Sequence, residues 1–304
     1  MNKPRQVRIV EVGPRDGLQN EINAVSADTK IRFINMLVEA GITTLEAGAF
    51  VSPRAVPQMS NTAEVLAGLP SMDGVTCSVL TPNLKGLEAA MSAGAGEVAI
   101  FAAASETFSH KNTNCSIEES LERVAAICDI ASQNDMPVRG YVSCVLGCPY
   151  EGDVDPGLVA EIAEKLMKMG CYEVSLGDTV GVGTPARARD LIDDVAVGVP
   201  VSALAVHFHD TYGQALSNIL SVLETGVAVI DSSTAGLGGC PYAPGAAGNV
   251  ATEDVLYMLN GLGIQTGVDL DGIAAAGRYI CNELDRAPAS RVAQAMAASI
   301  TNAS

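Results

Sequence analysis

Two histidines, His207 and His209, stand two residues apart at the end of the apolar run 203–206. Alternate side chains of a strand point to the same side, so on a strand the two imidazoles share a face and can grip one metal ion. They are two of only three histidines in 304 residues, and their spacing favours ligation over a chance pair of core histidines. Joined by carboxylate and amide oxygens, they make a mixed nitrogen and oxygen donor set. With no cysteine among the ligands, that set suits an octahedral divalent ion such as Mg2+ or Mn2+ better than a structural zinc. Asp16 is the expected carboxylate ligand. Asn249 could close the ring with its carbonyl oxygen, or could instead cap the helix that follows it.

Three further groups fit a reaction at such a centre. Arg15 precedes Asp16, and its permanently charged fork suits a carbonyl oxygen gaining negative charge; the alternative is a structural ion pair. Glu46 and Asp178 fall on or after apolar runs, where a carboxylate must be paired or functional. One could hold Arg15 and the other handle a proton, and spacing does not assign which. Cys240 lies in a Gly- and Pro-rich segment, 236–249, that could close over a substrate and bring a thiol to it; an inert loop cysteine is the alternative.

The elements that must position these groups alternate in type. Val-, Ile- and Leu-rich runs at 7–12, 44–49, 75–80, 97–102, 138–144, 173–177, 203–207 and 229–233 predict eight buried parallel strands. Helical periodicity lies between them. One helix runs over 26–39 and stops at Gly41, another opens at Ser116 with Glu119 completing a capping box, and a third runs from Asp155-Pro156 to Gly170. Two more cover 214–224 and 251–259. Eight such units predict a (β/α)8 TIM barrel with an additional C-terminal helix at 269–286. The expected organisation is a single catalytic domain over 1–304, with the barrel at about 7–262 and a helical extension at about 263–304. The Ala- and Ser-rich residues 289–304 are expected to be poorly ordered. Barrels of this kind carry their active sites at the C-terminal ends of the strands, where Arg15, Asp16, Glu46, Asp178, His207, His209 and the 236–249 segment all fall.

Composition narrows the partners. A net charge of −17 argues against nucleic acid and anionic membranes, though not against a small anionic substrate. There is no apolar run long enough to span a bilayer. The short polar start, 1–6, leaves no room for a targeting peptide, so a cytoplasmic enzyme is expected. The eight cysteines show neither C-x-x-C pairs nor zinc-finger spacing and are expected to be mostly small core residues.

The segment from Val10 to Glu21 (VEVGPRDGLQNE), the segment His207 to Gly213 (HFHDTYG) and the 236–249 segment resemble 3-hydroxy-3-methylglutaryl-CoA lyase. So do Ser143 to Gly152 and Ser175 to Thr179, and the likeness spans about 7–286. The first-strand motif and paired histidines alone would fit a wider superfamily of metal-dependent carbon–carbon bond enzymes; the cysteine segment discriminates. The resemblance implies a TIM barrel cleaving 3-hydroxy-3-methylglutaryl-CoA to acetyl-CoA and acetoacetate, in leucine degradation, ketone-body formation or a neighbouring acyl-CoA route. It implies that Asp16, His207, His209 and Asn249 bind Mg2+ or Mn2+, and that Arg15 stabilises the enolate of the departing thioester. Glu46 and Asp178 would lie around the substrate, and Cys240 would be the catalytic thiol. Asp178 leads as general base, with His207 as rival. Cys281 matches a cysteine that some members use for thiol-sensitive control, or is a buried residue of the extra helix facing a subunit interface. The partners implied are a small acyl-CoA substrate and a second copy in a homodimer. The competing readings are a lyase for a longer branched 3-hydroxyglutaryl-CoA, a Claisen condensing synthase of the same superfamily, and a non-catalytic binding protein on a decayed barrel. A synthase should carry a different segment after strand eight and a long regulatory domain. A decayed barrel should have lost some of the strand-end polar groups, and none is missing.

Overall fold

The computed structural model describes residues 3–239 and 248–301. Eight parallel strands close into a barrel in chain order: β1 (Arg8–Glu11), β2 (Thr44–Ala49), β3 (Thr76–Leu80), β4 (Glu97–Ala103), β5 (Val138–Ser143), β6 (Glu173–Asp178), β7 (Leu204–Phe208) and β8 (Val229–Ser232). Closure is made by β1 against β8, in the register Ile9 with Ile230 and Glu11 with Ser232. All eight predicted strands are present. The seventh starts at Leu204 because Val201–Ala203 forms a 3-10 turn, and it extends to Phe208.

The predicted helices form for the predicted reasons. In α1 (Ala27–Glu39) Ser26 Oγ accepts from Thr29 N at 3.1 Å. Four helices that periodicity did not single out follow: α2 (Thr62–Gly68), α3 (Leu84–Ser92), α4 (Glu106–Thr113) and, after the sixth strand, α7 (Pro185–Val195). The first three are at most nine residues long, too short for a clear 3.6-residue pattern. The capping box of Ser116 and Glu119 opens α5 (Ile117–Gln133), and Asp155 with Pro156 opens α6 (Pro156–Lys168). Gly41 and Gly170 take φ of +97° and +104° after α1 and α6, the left-handed backbone that ends a helix most cheaply at glycine. The chain continues through α8 (Ala215–Leu223), α9 (Thr252–Gly261), α10 (Leu270–Glu283) and α11 (Arg291–Thr301). The core lies between strands and helices, where Phe33, Ile34 and Leu37 of α1 share one buried cluster with Ile9 of β1 and Leu45 of β2.

Helix α10 is the predicted extra helix. It packs against α1 and α9 and buries Ile273, Ala276, Ile280 and Cys281. Cys281 is 2% exposed, and burial pushes its thiol up to about 11, so it is a core residue with little thiolate at neutral pH. The expectation of poor order over 289–304 is corrected for residues 291–301, which form α11, while 302–304 lie outside the described residues. Asp254 on α9 accepts from Ser290 Oγ at 2.7 Å and from the backbone N–H groups of Arg291 and Val292 at 3.2 and 2.9 Å. A carboxylate from elsewhere in the fold thus serves the free amides of the helix start.

Two buried carboxylates brace the turn after β8. Glu11 Oε1 accepts from Gly13 N and Thr234 N, and its Oε2 from the hydroxyls of Thr234 and Thr252. Glu253 accepts from Ala235 N through both oxygens, at 3.0 and 2.9 Å. Ala235 is held at φ +60°, a left-handed conformation that a non-glycine residue keeps only when its surroundings fix it. Burial raises the Glu253 carboxyl from 4.5 to about 8. The native state therefore binds its proton more tightly than the unfolded chain. This stabilising contribution is complete below pH 4.5 and is lost as the pH rises through about 8. Glu253→Gln should melt at a higher temperature than the parent at pH 8 and at a similar one near pH 4.5; equal melting temperatures at both would show that Glu253 titrates normally.

Candidate metal centre

At the C-terminal mouth of the barrel, β1 runs into a π-helical turn, Gly13–Gly17, that carries Arg15 and Asp16. Arg15 is 6% exposed. Its Nε and Nη2 lie 2.5 Å from Glu46 Oε2, and its Nη1 lies 2.6 Å from Asp16 Oδ1. Burial works against the guanidinium charge, but Glu46 and Asp16 more than offset it and raise the pKa. Arg15 stays a cation throughout, its planar fork fixed between two acids. Glu46 comes from the middle of β2 and is fully buried; its Oε1 has no hydrogen-bond partner among the described residues.

The two histidines converge on Asp16. His207 Nε2 is 3.3 Å from His209 Nε2 and 3.8 Å from Asp16 Oδ2. One ligand atom from each of Asp16, His207 and His209 falls within 4.8 Å of the others. Burial favours the neutral Asp16 acid, yet Arg15 and the two imidazoles outweigh it and hold the carboxyl down at about 2. Burial and the neighbouring His207 lower His209 to about 4. An ionised carboxylate beside a neutral imidazole is the state in which both can ligate. The donor set, one oxygen and two nitrogens with atoms this close, fits a divalent ion.

Asn249 joins the cluster in a different manner from the expected one. The segment 248–250 pairs with the end of β7: Asp210 N donates to Gly248 O at 2.8 Å, Val250 N donates to Phe208 O at 3.2 Å, and Asn249 sits opposite His209. Its Nδ2, not its carbonyl oxygen, faces Asp16 Oδ2 at 2.8 Å and Leu237 O at 3.2 Å. Two acceptors draw the amide donor inward. The helix-cap alternative is not what forms, because Ala251 precedes α9. Beside it Gly238 and Gly248 touch: a Cβ on Gly248 would stand 2.6 Å from the Gly238 carbonyl carbon. Cys240 lies outside the described residues.

Asp178, at the end of β6, is fully buried but forms no hydrogen bond to this cluster. Its Oδ1 accepts from Gly181 N and Val182 N at 3.1 and 3.2 Å, and its Oδ2 from Gly183 N at 2.8 Å. Burial raises its carboxyl, against these three bonds. Sequence reasoning missed the groups beneath the cluster. His207 Nδ1 lies 3.3 Å from Asp231 Oδ2 on β8, and Asp231 in turn pairs with Arg139 of β5, which also binds Glu173 of β6. The available signal was an acid in the apolar run 229–233 and an arginine in 138–144, each at odds with a buried strand unless paired.

A family model, HMGL-like, matches residues 6–280. The chain belongs to the HMGL-like family. It is 61% identical over 292 residues to the mitochondrial hydroxymethylglutaryl-CoA lyase of Macaca fascicularis, covering 96% of this chain and 90% of that protein. It is 59% identical over 298 residues to a Pseudomonas aeruginosa protein named 3-hydroxy-3-isohexenylglutaryl-CoA/hydroxy-methylglutaryl-CoA lyase, covering 98% and 99%. The solved structure of hydroxymethylglutaryl-CoA lyase from Pseudomonas aeruginosa superposes with a TM-score of 0.97 at 59% identity, covering 98% of this chain and all of that one. The expectation of a cytoplasmic enzyme is corrected by this comparison, since family members at about 60% identity carry mitochondrial names.

His209→Ala should weaken Mn2+ binding more than about ten-fold, the least that loss of a mere supporting partner costs at such sites. Excess Mn2+ should partly restore function. Titration with unchanged affinity would remove His209 from the ligands.

Proposed function

We propose that the protein cleaves 3-hydroxy-3-methylglutaryl-CoA into acetyl-CoA and acetoacetate, using the whole chain as one catalytic domain. The observation that carries this is the Arg15 fork, locked between Glu46 and Asp16 and set beside the facing imidazoles of His207 and His209. The relatives' names give the acyl-CoA class. Asp16, His207 and His209 would hold Mg2+ or Mn2+, and Asn249 would complete the set by turning its amide over or would orient Asp16 by its present bond. A bound divalent ion supplies Lewis acidity toward the substrate's hydroxyl and carboxylate oxygens.

The chain's own groups do the rest. The tertiary hydroxyl loses its proton, its oxygen becomes the ketone of acetoacetate, and the adjacent carbon–carbon bond breaks. The electron pair of that bond passes onto the thioester as an enolate. We assign the hydroxyl proton to Asp178 rather than His207. Both nitrogens of His207 are committed, Nδ1 to Asp231 and Nε2 to the Asp16 and His209 cluster, whereas Asp178 Oδ2 accepts a single N–H and keeps a lone pair, and burial raises its carboxyl above its ordinary value. Arg15, already oriented, takes the enolate oxygen. Cys240 then returns a proton to the enolate carbon. The name of the Pseudomonas aeruginosa relative supports a second reading, in which a longer branched 3-hydroxyglutaryl-CoA is also cleaved. A homodimer remains part of the proposal, with the outer side of α10 as its surface; sedimentation tests it.

The deciding experiment follows acetoacetate and acetyl-CoA from 3-hydroxy-3-methylglutaryl-CoA with metal-stripped protein, before and after Mg2+ or Mn2+. Equal amounts of both products, dependent on metal, are expected; no product with either metal would refute the reading. Arg15→Gln should lower kcat about 10²- to 10³-fold while Mn2+ binding survives. Cys240→Ser should slow turnover with substrate binding spared, and unchanged turnover would make the thiol a bystander.

A further inference from the structure

His207 is gripped from behind as well as in front. Its Nδ1 lies 3.3 Å from Asp231 Oδ2, while its Nε2 faces His209 and Asp16. The backbone fixes this pairing, because His207 and Asp231 are register partners on β7 and β8. Asp231 has no freedom of its own. Arg139 Nη2 donates to its Oδ1 at 2.7 Å and Arg139 Nη1 to its Oδ2 at 3.2 Å, while Ser175 Oγ donates to Oδ2 at 2.7 Å. The ring of Tyr141 stands edge-on to His207 at 6.0 Å and 88°.

An ionised carboxylate can only accept, so the proton shared with Asp231 belongs to His207 Nδ1. That leaves the Nε2 lone pair aimed at Asp16 and His209. We propose that Asp231, held by Arg139 and Ser175, is the positioning residue of the metal centre: it fixes the tautomer and the ring plane of His207. Outer partners of ligating histidines act in this way elsewhere. The inference rests on the reading of Asp16, His207 and His209 as a metal centre.

The same geometry specifies the informative variant. Arg139 is a donor only, so in Asp231→Asn the amide oxygen must turn to Arg139 and the amide NH2 to His207. His207 then accepts at Nδ1, carries its proton on Nε2 and cannot ligate. Mn2+ affinity measured by titration should fall about 10- to 100-fold. The nitrogen-15 imidazole spectrum holds three histidines only and should show His207 moving from the Nδ1–H to the Nε2–H form. General loosening of the fold would not produce that switch. The wild-type spectrum is a test without any variant, should Asp231→Asn fail to fold. A wild-type His207 protonated on Nε2 overturns the inference. Equal Mn2+ affinities of the two proteins overturn it while leaving the metal centre intact. Wild-type protein that binds no Mn2+ overturns both.

Discussion

The barrel interior is organised by one buried cation. Arg139 is 1% exposed and reaches from β5 to Asp231 on β8, with Glu173 of β6 as its second acid. β5 and β8 are not neighbours in the ring, so the two side chains meet only through the interior. Removing either partner of such a pair costs about 3–5 kcal/mol, because a charge is left buried without compensation. The arrangement therefore fixes where the acids stand, and Asp231 in turn fixes His207. A second arginine repeats the pattern at the mouth, where Arg15 lies between Glu46 and Asp16. From the floor to the mouth, basic and acidic side chains alternate: Arg8 with Glu173, Arg139 with Asp231, then His207, Asp16, Arg15 and Glu46.

Much of this is legible in the amino-acid sequence alone. The eight apolar runs marked the strands because a parallel sheet covered on both faces is uninterrupted in Val, Ile and Leu. The strand-end rule then drew Arg15, Asp16, Glu46, His207, His209 and Asn249 to one mouth, and they meet there. The support beneath them was less legible. Asp231 and Arg139 lie 92 residues apart in sequence, and no local pattern says that two such residues are partners. The direction of the Asn249 amide depends on Leu237 O, an acceptor supplied by backbone. The engagement of Asp178 by the N–H groups of residues 181–183 is likewise a backbone event. The order of α11 rests on Asp254, which composition near the terminus does not reveal.

β8 serves both sides of its wall. Asp231 points inward to Arg139 and His207, while Ser232, next along the strand, bonds Thr252 on the outer side at 2.9 Å. Glu11, outward on β1, and Glu253 then hold the turn that follows. The alternation of a strand thus couples two polar clusters of different purpose through a single stretch of backbone. The outer cluster, lacking a cation among its hydrogen-bond partners, satisfies its acids with hydroxyl and amide donors.

The contact of Gly238 with Gly248 has an evolutionary consequence. Both glycines hold a left-handed backbone, at φ +123° and +76°, and a Cβ at Gly238 would stand 2.7 Å from the Asn249 amide nitrogen. Asn249 is in turn bonded to Asp16 and Leu237. A substitution at either glycine would therefore be felt at the strand-end cluster, so drift at these two positions is closed off although neither offers a side chain to it.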